Sequence, residues 1–123
     1  MQKLQFSEWC GLDPARLERL YRENGDREAD RMVCEATETV ALALARTARA
    51  HRRGDLTGVA AQAVELAQAA HFVGLPKLQR VAIDVARCAR SGGGPALDAT
   101  LARLSRLGDT SLTAIWDPRD IVR

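Results

Sequence analysis

The residues of this chain that could act as nucleophiles, proton carriers or metal ligands are two histidines and three cysteines. They are His51, His71, Cys10, Cys34 and Cys88. The cysteines are far apart and lack the short spacing of a metal site, and no cysteine or carboxylate stands three or four residues after His71. No glycine-rich loop carries the lysine of a phosphate-binding loop. The sequence therefore predicts no metal, no cofactor and no catalytic centre, and we expect a protein that is not an enzyme.

The cysteines and the opening residues bear on the compartment. Three cysteines cannot all pair within one chain, so we expect reduced thiols in a cytoplasmic protein, with Cys34 and Cys88 buried as small apolar residues. The opening residues, MQKLQFSEW, lack the apolar stretch of a signal peptide. No apolar run approaches the ~20 residues that a membrane span needs. We therefore expect no contact with a membrane.

The composition favours helices in a single domain that spans residues 1–123. About 46% of the residues are hydrophobic and only 4% are aromatic. Alanine, leucine, arginine and glutamate are frequent, and they lose little conformational freedom in a helix. The 18 basic and 16 acidic residues give a net charge of +2, which makes no electrostatic case for binding nucleic acid.

Capping and stop residues divide the chain into five helices. An aspartate precedes each of the first three and a glycine follows it, as is common at helix ends. The caps and their stops are Asp13 with Gly25, Asp26 with Gly54, and Asp55 with Gly74. Pro76 opens the fourth helix, and the fifth runs from Pro95 to Trp116, because proline is favoured in the first helical turn.

The short connections predict the architecture. Helices joined by short loops pack as antiparallel neighbours, so we expect an all-α, up-down-up-down four-helix bundle with a core at about 13–116. The short first helix is expected to lie across one end of the bundle, anchored by Phe6 and Trp9.

The third helix predicts an unusual exposed strip. Successive residues turn by ~100°, so a buried face centred on Leu66 leaves the opposite side to solvent. The residues of that exposed strip are Thr57, Ala61, Val64, Gln68 and His71. Val64 is then either a harmless exposed apolar residue or the centre of a contact surface. We favour a contact surface, because the strip is small or apolar and nearly uncharged.

The third helix and its flanks resemble the histidine-containing phosphotransfer (Hpt) domain, the relay module of multistep two-component signalling. That family is a four-helix bundle with a leading helix. Its motif is a Gly-Asp turn, a fixed interval, A-H-x-L-K-G-x-A, a further helical turn and G-L-x-x-L. The residues that match the motif are, in order, Gly54, Asp55, Ala63, Leu66, Gly74, Leu75 and Leu78, with Ala69 and Ala70 at its small positions.

The departures from the family's motif fall on its reactive positions. The phosphorylated histidine falls on Val64, the lysine that favours the phosphate falls on Ala67, and the glycine that lets a receiver domain approach falls on Gln68. A valine side chain has no lone pair with which to attack a phospho-aspartate. The resemblance thus implies a degenerate Hpt-like domain that keeps the bundle and has lost the phosphoacceptor.

The resemblance implies a bacterial signalling module that binds a response-regulator receiver domain or a histidine kinase. The exposed strip of the third helix, Thr57, Ala61, Val64, Gln68 and His71, would then be the partner-binding surface. Lys77 or Arg80 on the next helix would supply charges at its rim. The identity of the partner and the oligomeric state stay open.

Two alternatives remain open at this point. His71, two helical turns beyond Val64, could serve as a relocated phosphoacceptor in an active phosphotransfer protein. The chain could instead be a structural or chaperone-like helical bundle unrelated to phosphorelay. His51 closes the second helix, and we expect it to complement the helix dipole there.

Two groups of arginines form basic helix faces. Arg16, Arg19 and Arg22 lie on the first helix, and Arg103 and Arg106 lie on the fifth. We expect these faces to be solvated, with docking to an acidic partner surface as the alternative.

Overall fold

The structure, a computed structural model, describes the backbone of residues 13–116 and the side chains of residues 13–112. Every regular element in residues 13–116 is an α-helix, which confirms the all-α prediction. The five helices are α1 (Pro14–Asn24), α2 (Asp26–Arg52), α3 (Leu56–Phe72), α4 (Pro76–Arg90) and α5 (Pro95–Trp116). The predicted anchors Phe6 and Trp9, and Cys10, lie outside the described residues. No helix in residues 13–116 is long and apolar enough to cross a membrane.

Two of the three predicted aspartate caps are confirmed. The Asp13 side chain accepts a hydrogen bond from the Ala15 N–H at 3.1 Å, and the Asp55 side chain accepts one from the Gly58 N–H at 2.9 Å. Each bond satisfies an N–H group that the first turn of a helix leaves unpaired.

The prediction that Asp26 caps α2 is wrong. Gly25, with φ of 81°, ends α1 and is itself the N-cap of α2, and no side chain caps that end. The Gly25 N–H donates to the Tyr21 carbonyl, while the Gly25 carbonyl accepts from the Ala29 N–H, both at 2.9 Å. Because one residue closes one helix and opens the next, Asp26 is already the first residue of α2.

The helices pack around a core rich in alanine and leucine. α3 packs against both α2 and α4, α4 also packs against α5, and α5 contacts α2. The largest fully buried leucines are Leu66, Leu75, Leu78, Leu97 and Leu104. Small residues on the facing sides of α3 and α4 let these two helices share an extensive interface.

The start of α1 is fixed to the turn between α3 and α4. The Asp13 N–H donates to the Gly74 carbonyl at 2.7 Å, and the Arg16 Nε–H donates to the Phe72 carbonyl at 3.1 Å. The Arg16 guanidinium also lies 5.7 Å from the centre of the Phe72 ring. Arg16 is therefore partly buried and structural, and the expectation that it belongs to a solvated basic face is wrong.

The end of α1 is fixed to α2. The Tyr21 hydroxyl donates to Asp30 Oδ1 at 2.6 Å, and Leu20 packs with Ala29 and Val33 in a small apolar cluster. Burial, together with the hydrogen bond to Asp30 and its negative charge, raises the pKa of Tyr21 to about 12. α1 is thus held at both of its ends.

The expectation that Cys34 is buried is wrong, and Cys88 is only partly buried. Cys34 directly follows the buried Val33, so the rotation of ~100° per residue turns it away from the core. Cys88 packs against the main core cluster.

Candidate functional site

The exposed strip of α3 is present, with one difference at its centre. Thr57, Ala61, Gln68 and His71 are exposed. Val64 is only partly buried and packs against the main core cluster. The expectation that Val64 is exposed like the rest of the strip is therefore wrong, because its side chain packs partly against the core.

Val64 lies in a shallow groove between α3 and α4, which we call the α3–α4 groove. Its volume is about 310 Å³. The residues that line it are Val64, Ile83, Ala86, Arg87, Arg90 and Ser91. Val64 and Ile83 supply its large apolar side chains, so the strip predicted on α3 extends onto its neighbour α4.

Ile83 is the residue of this surface that the sequence reasoning missed. It is 41% exposed, although Val81 and Val85 on either side of it are buried. Residues two positions apart on a helix differ in direction by ~200°, so Ile83 must face away from the buried stripe to which Val81 and Val85 belong. An isoleucine on the polar side of an otherwise regular amphipathic helix was the signal that could have found it.

The charges at the α3–α4 groove are arginines from the last turn of α4. Arg87 and Arg90 line it, and Arg87 Nη1 is 3.4 Å from Asp84 Oδ1, a long contact between exposed groups. The predicted rim charges Lys77 and Arg80 do not line this groove, and they face α5 instead. The sequence does not show which side of α4 packs beside α3 and which beside α5. It therefore could not assign each basic residue of α4 to one side or the other.

Two positions that the resemblance aligns with the lysine and the glycine of the Hpt motif, Ala67 and Gln68, differ in burial. Ala67, which takes the place of the lysine, is only 6% exposed. It therefore contributes a small buried surface to α3 and no charge. Gln68, in place of the glycine, is exposed, and its longer side chain occupies space above the helix. The exposed side of α3 thus combines apolar and polar side chains, and Val64 carries no nucleophile.

The two histidines lie in separate parts of the molecule. His71 is exposed in the last turn of α3, and two helical turns place it about 10 Å along the axis from Val64. His51 Nε2 is 3.1 Å from Asp98 Oδ1, which joins the end of α2 to the first turn of α5. His51 does close α2, as expected, and its contact with Asp98 could not be read from neighbouring residues.

Within residues 13–116, no group of three or more histidine, cysteine, aspartate or glutamate side chains is arranged to hold a metal ion. Compared with protein-family models, with curated proteins and with solved structures, the chain shows no significant match. A function must therefore rest on the residues and the geometry of the α3–α4 groove.

Proposed function

We propose that the chain is an Hpt-like interaction module of a bacterial two-component phosphorelay. In this proposal it is a cytoplasmic protein that binds a receiver domain or a histidine kinase through the α3–α4 groove. It is not an enzyme and is not itself phosphorylated. The observation that carries the proposal is the position of Val64, which stands where the family has its reactive histidine and shares an apolar groove with Ile83.

The packing of the helices supports the bundle that this proposal requires. α3 lies between α2 and α4, and α5 contacts both α4 and α2, so each of the four long helices touches two others. Only a few residues, 53–55, 73–75 and 91–94, connect them. We propose that α2 to α5 form an up-down-up-down four-helix bundle with α1 across one end.

The chemistry of the α3–α4 groove supports a binding role over a transfer role. Val64 and Ile83 offer apolar area that a partner can cover, and Arg87 and Arg90 offer positive charge beside it. Apolar contact at the centre supplies most of the affinity of such an interface, while charges at its rim speed association and select the partner. A receiver or kinase surface with a central apolar side chain and flanking carboxylates fits this arrangement.

The test is a titration of the chain against purified receiver domains and kinase domains from its own genome. The decisive variant is Ile83→Asp, since Ile83 is exposed and a carboxylate there would oppose an apolar partner surface. We expect the affinity for the bound partner to fall by about tenfold or more, equivalent to ~1.4 kcal/mol. The matched control is Leu42→Asp, because Leu42 is 52% exposed on α2 and lies outside the groove.

A phosphotransfer assay separates this proposal from an active relay through His71. The wild-type chain is incubated with an autophosphorylated kinase and a receiver, and phosphate on each protein is followed. We expect no acid-labile phosphate on this chain. Such a phosphate, present in the wild type and lost in His71→Ala, would replace our proposal with the phosphotransfer alternative.

A further inference from the structure

A second groove, which we call the α4–α5 groove, lies on the other side of α4. Its volume is about 810 Å³, against about 310 Å³ for the α3–α4 groove. The residues that line it are Lys77, Arg80, Val81 and Asp84 from α4, with Arg103, Arg106, Leu107, Asp109 and Thr110 from α5. The proposed function makes no use of this groove, although it is the larger of the two.

The lining of the α4–α5 groove concentrates positive charge. It holds four basic side chains, Lys77, Arg80, Arg103 and Arg106, against the two acids Asp84 and Asp109. Within each helix the two basic residues are one turn apart, so their side chains project to the same side. A concave surface in which one sign of charge predominates strengthens the local potential.

Asp84 neutralises this charge only in part. Its Oδ1 is 3.4 Å from Arg87 Nη1, and Arg87 lines the other groove. The negative charge of Asp84 is therefore shared with a cation outside the α4–α5 groove. An occupant that brings its own carboxylates would meet side chains that are exposed and positively charged.

The floor of the α4–α5 groove is apolar. Val81 is 4% exposed and Leu107 is partly buried against the main core, and both line the groove between the basic side chains. The stretch of α4 from Lys77 to Asp84 covers about two helical turns, or roughly 10 Å. These dimensions suit one short element of a partner, with an apolar residue toward the floor and acids on both flanks.

The character of the lining argues against other polyanions. Among the side chains that the structure describes, those of residues 13–112, no aromatic one lines the groove, so these residues offer no platform on which the bases of a single strand could stack. Lys77, Arg80, Arg103 and Arg106 are all exposed, so the groove does not enclose a small anion among fixed, buried donors. Neither a nucleic-acid strand nor a small anion would supply apolar atoms to contact Val81 and Leu107 on the floor of the groove.

We propose that the α4–α5 groove binds a short acidic, amphipathic helix of a partner protein. The carboxylates of that helix pair with the four basic side chains, and its apolar residues lie on Val81 and Leu107 in the manner of a helix in a groove. The acidic helix and the partner of the α3–α4 groove would occupy opposite sides of α4. This inference is independent of the proposed function.

The probe that tests this inference is a synthetic peptide of about 15 residues, near the length at which a helix becomes stable in water. One face of the peptide carries leucines flanked by glutamates. A matched peptide has lysine in place of every glutamate, and a DNA duplex serves as the competing polyanion. Binding to the full chain is measured by fluorescence anisotropy at about 0.05 M and about 0.3 M NaCl, across which charge screening strengthens markedly.

We expect the acidic peptide to bind and the basic peptide not to bind. The double variant Arg80→Glu/Arg103→Glu should weaken binding about tenfold or more, since each reversed charge replaces an attraction with a repulsion. The matched control Arg46→Glu/Arg49→Glu reverses two exposed charges on α2, outside the groove, and should change the affinity less than about twofold. Higher salt should weaken wild-type binding and change little in the double variant.

A second double variant, in which two arginines are neutralised and not reversed, shows whether a loss of affinity comes from misfolding. Arg80→Gln/Arg106→Gln should retain the helical circular dichroism of the wild type and still lose affinity for the acidic peptide. Failure of the acidic peptide to bind, or an equal loss in Arg46→Glu/Arg49→Glu, would overturn the inference. Tighter binding of the DNA duplex would also overturn it, as would salt-sensitive self-association through Arg80 and Arg103 measured by sedimentation.

Discussion

Val64 on α3 and Ile83 on α4 line the same groove, although the first packs partly against the core and the second is exposed. Alanines of both helices belong to the core cluster through which α3 and α4 pack together. Arg87 and Arg90, also on α4, lie beside it. The two apolar residues therefore differ in what they contribute to folding, even though they share one surface.

The first prediction separates folding from binding at this groove. Val64→Ala should lower the free energy of unfolding by about 1 kcal/mol, because it removes methyl groups that touch the core. Ile83→Ala should lower it by less than about 0.5 kcal/mol, since the side chain is exposed. Urea unfolding followed by circular dichroism measures both values. Equal losses in the two variants would contradict the packing difference.

The second prediction concerns the turn between α3 and α4. Gly74 has φ of 80°, and a Cβ there would lie 3.0 Å from both the Asp13 carbonyl oxygen and the Arg16 Cβ. Gly54 has φ of 73° and open space around it. Gly54→Ala should therefore cost about 1 kcal/mol from its backbone conformation alone. Gly74→Ala should cost about 2 to 3 kcal/mol, because the crowded contact adds to the same backbone strain.

Thermal unfolding of the two glycine variants checks this prediction. The more destabilised variant should also loosen α1, whose Asp13 N–H donates to the Gly74 carbonyl. Hydrogen exchange at the Asp13 amide reports that loosening directly. A Gly54→Ala variant as unstable as Gly74→Ala would show that the contact with α1 adds nothing.

The third prediction concerns alkaline pH and Tyr21, which is the single tyrosine of the chain. Burial and the bond to Asp30 raise its pKa from 10.0 to about 12. Because the folded protein holds this proton more tightly, the neutral hydroxyl stabilises the fold below pH ~10, and that contribution is lost as the pH rises toward ~12. The ultraviolet absorbance of the phenolate should titrate near the higher value in the folded chain and near the lower one in urea.

Two variants control the titration of Tyr21. Tyr21→Phe keeps the ring and removes the hydroxyl, so its stability should fall less between pH ~10 and ~12 than that of the wild type. Asp30→Asn removes the neighbouring negative charge, so the pKa of Tyr21 should drop part of the way back, since burial remains. A Tyr21 titration unchanged by unfolding would contradict the contact with Asp30.

The fourth prediction compares two aspartates at helix starts. The Asp55 side chain accepts a hydrogen bond from the Gly58 N–H, whereas no side chain caps α2, where Asp26 is the first helical residue. Asp55→Ala should lower the free energy of unfolding by about 1 kcal/mol. Asp26→Ala removes only an interaction with the helix dipole and should lower it by about 0.3 to 0.5 kcal/mol. Equal losses, measured by urea unfolding, would show that the side-chain hydrogen bond of Asp55 adds no stability beyond an interaction with the helix dipole.

The helix ends could be predicted because they depend on neighbouring residues. Four of the predicted cap and stop residues form hydrogen bonds with backbone groups only a few residues away, so neighbouring sequence is enough to predict them. They are Asp13, Asp55, Gly54 and Gly74. Asp26 failed as a cap because a single glycine both ends α1 and begins α2, which leaves no separate residue for the capping role.

The candidate site was only half predictable because it combines two helices. The exposed strip of α3 follows from the rotation of one helix, and Thr57, Ala61, Gln68 and His71 are indeed exposed. Ile83 reaches Val64 only through the packing of α4 on α3. Which basic residues face which groove depends on the same packing.

Contacts across the fold also lay beyond sequence patterns. The pairing of His51 with Asp98 joins the end of α2 to the start of α5, and the bond from Arg16 to the Phe72 carbonyl joins α1 to the end of α3. Arg16 was expected on a solvated basic face, and His51 was expected only to complement the helix dipole. Their partners are set by tertiary packing alone.

The most direct test of the proposed binding role is the affinity of one partner for three proteins. Isothermal titration of the bound receiver or kinase domain is compared for the wild type, Ile83→Asp and Leu42→Asp. We predict that Ile83→Asp weakens binding about tenfold or more, that Leu42→Asp binds like the wild type, and that all three retain the same helical signal. Wild-type affinity in the Ile83→Asp variant would contradict the assignment of the α3–α4 groove as the binding surface.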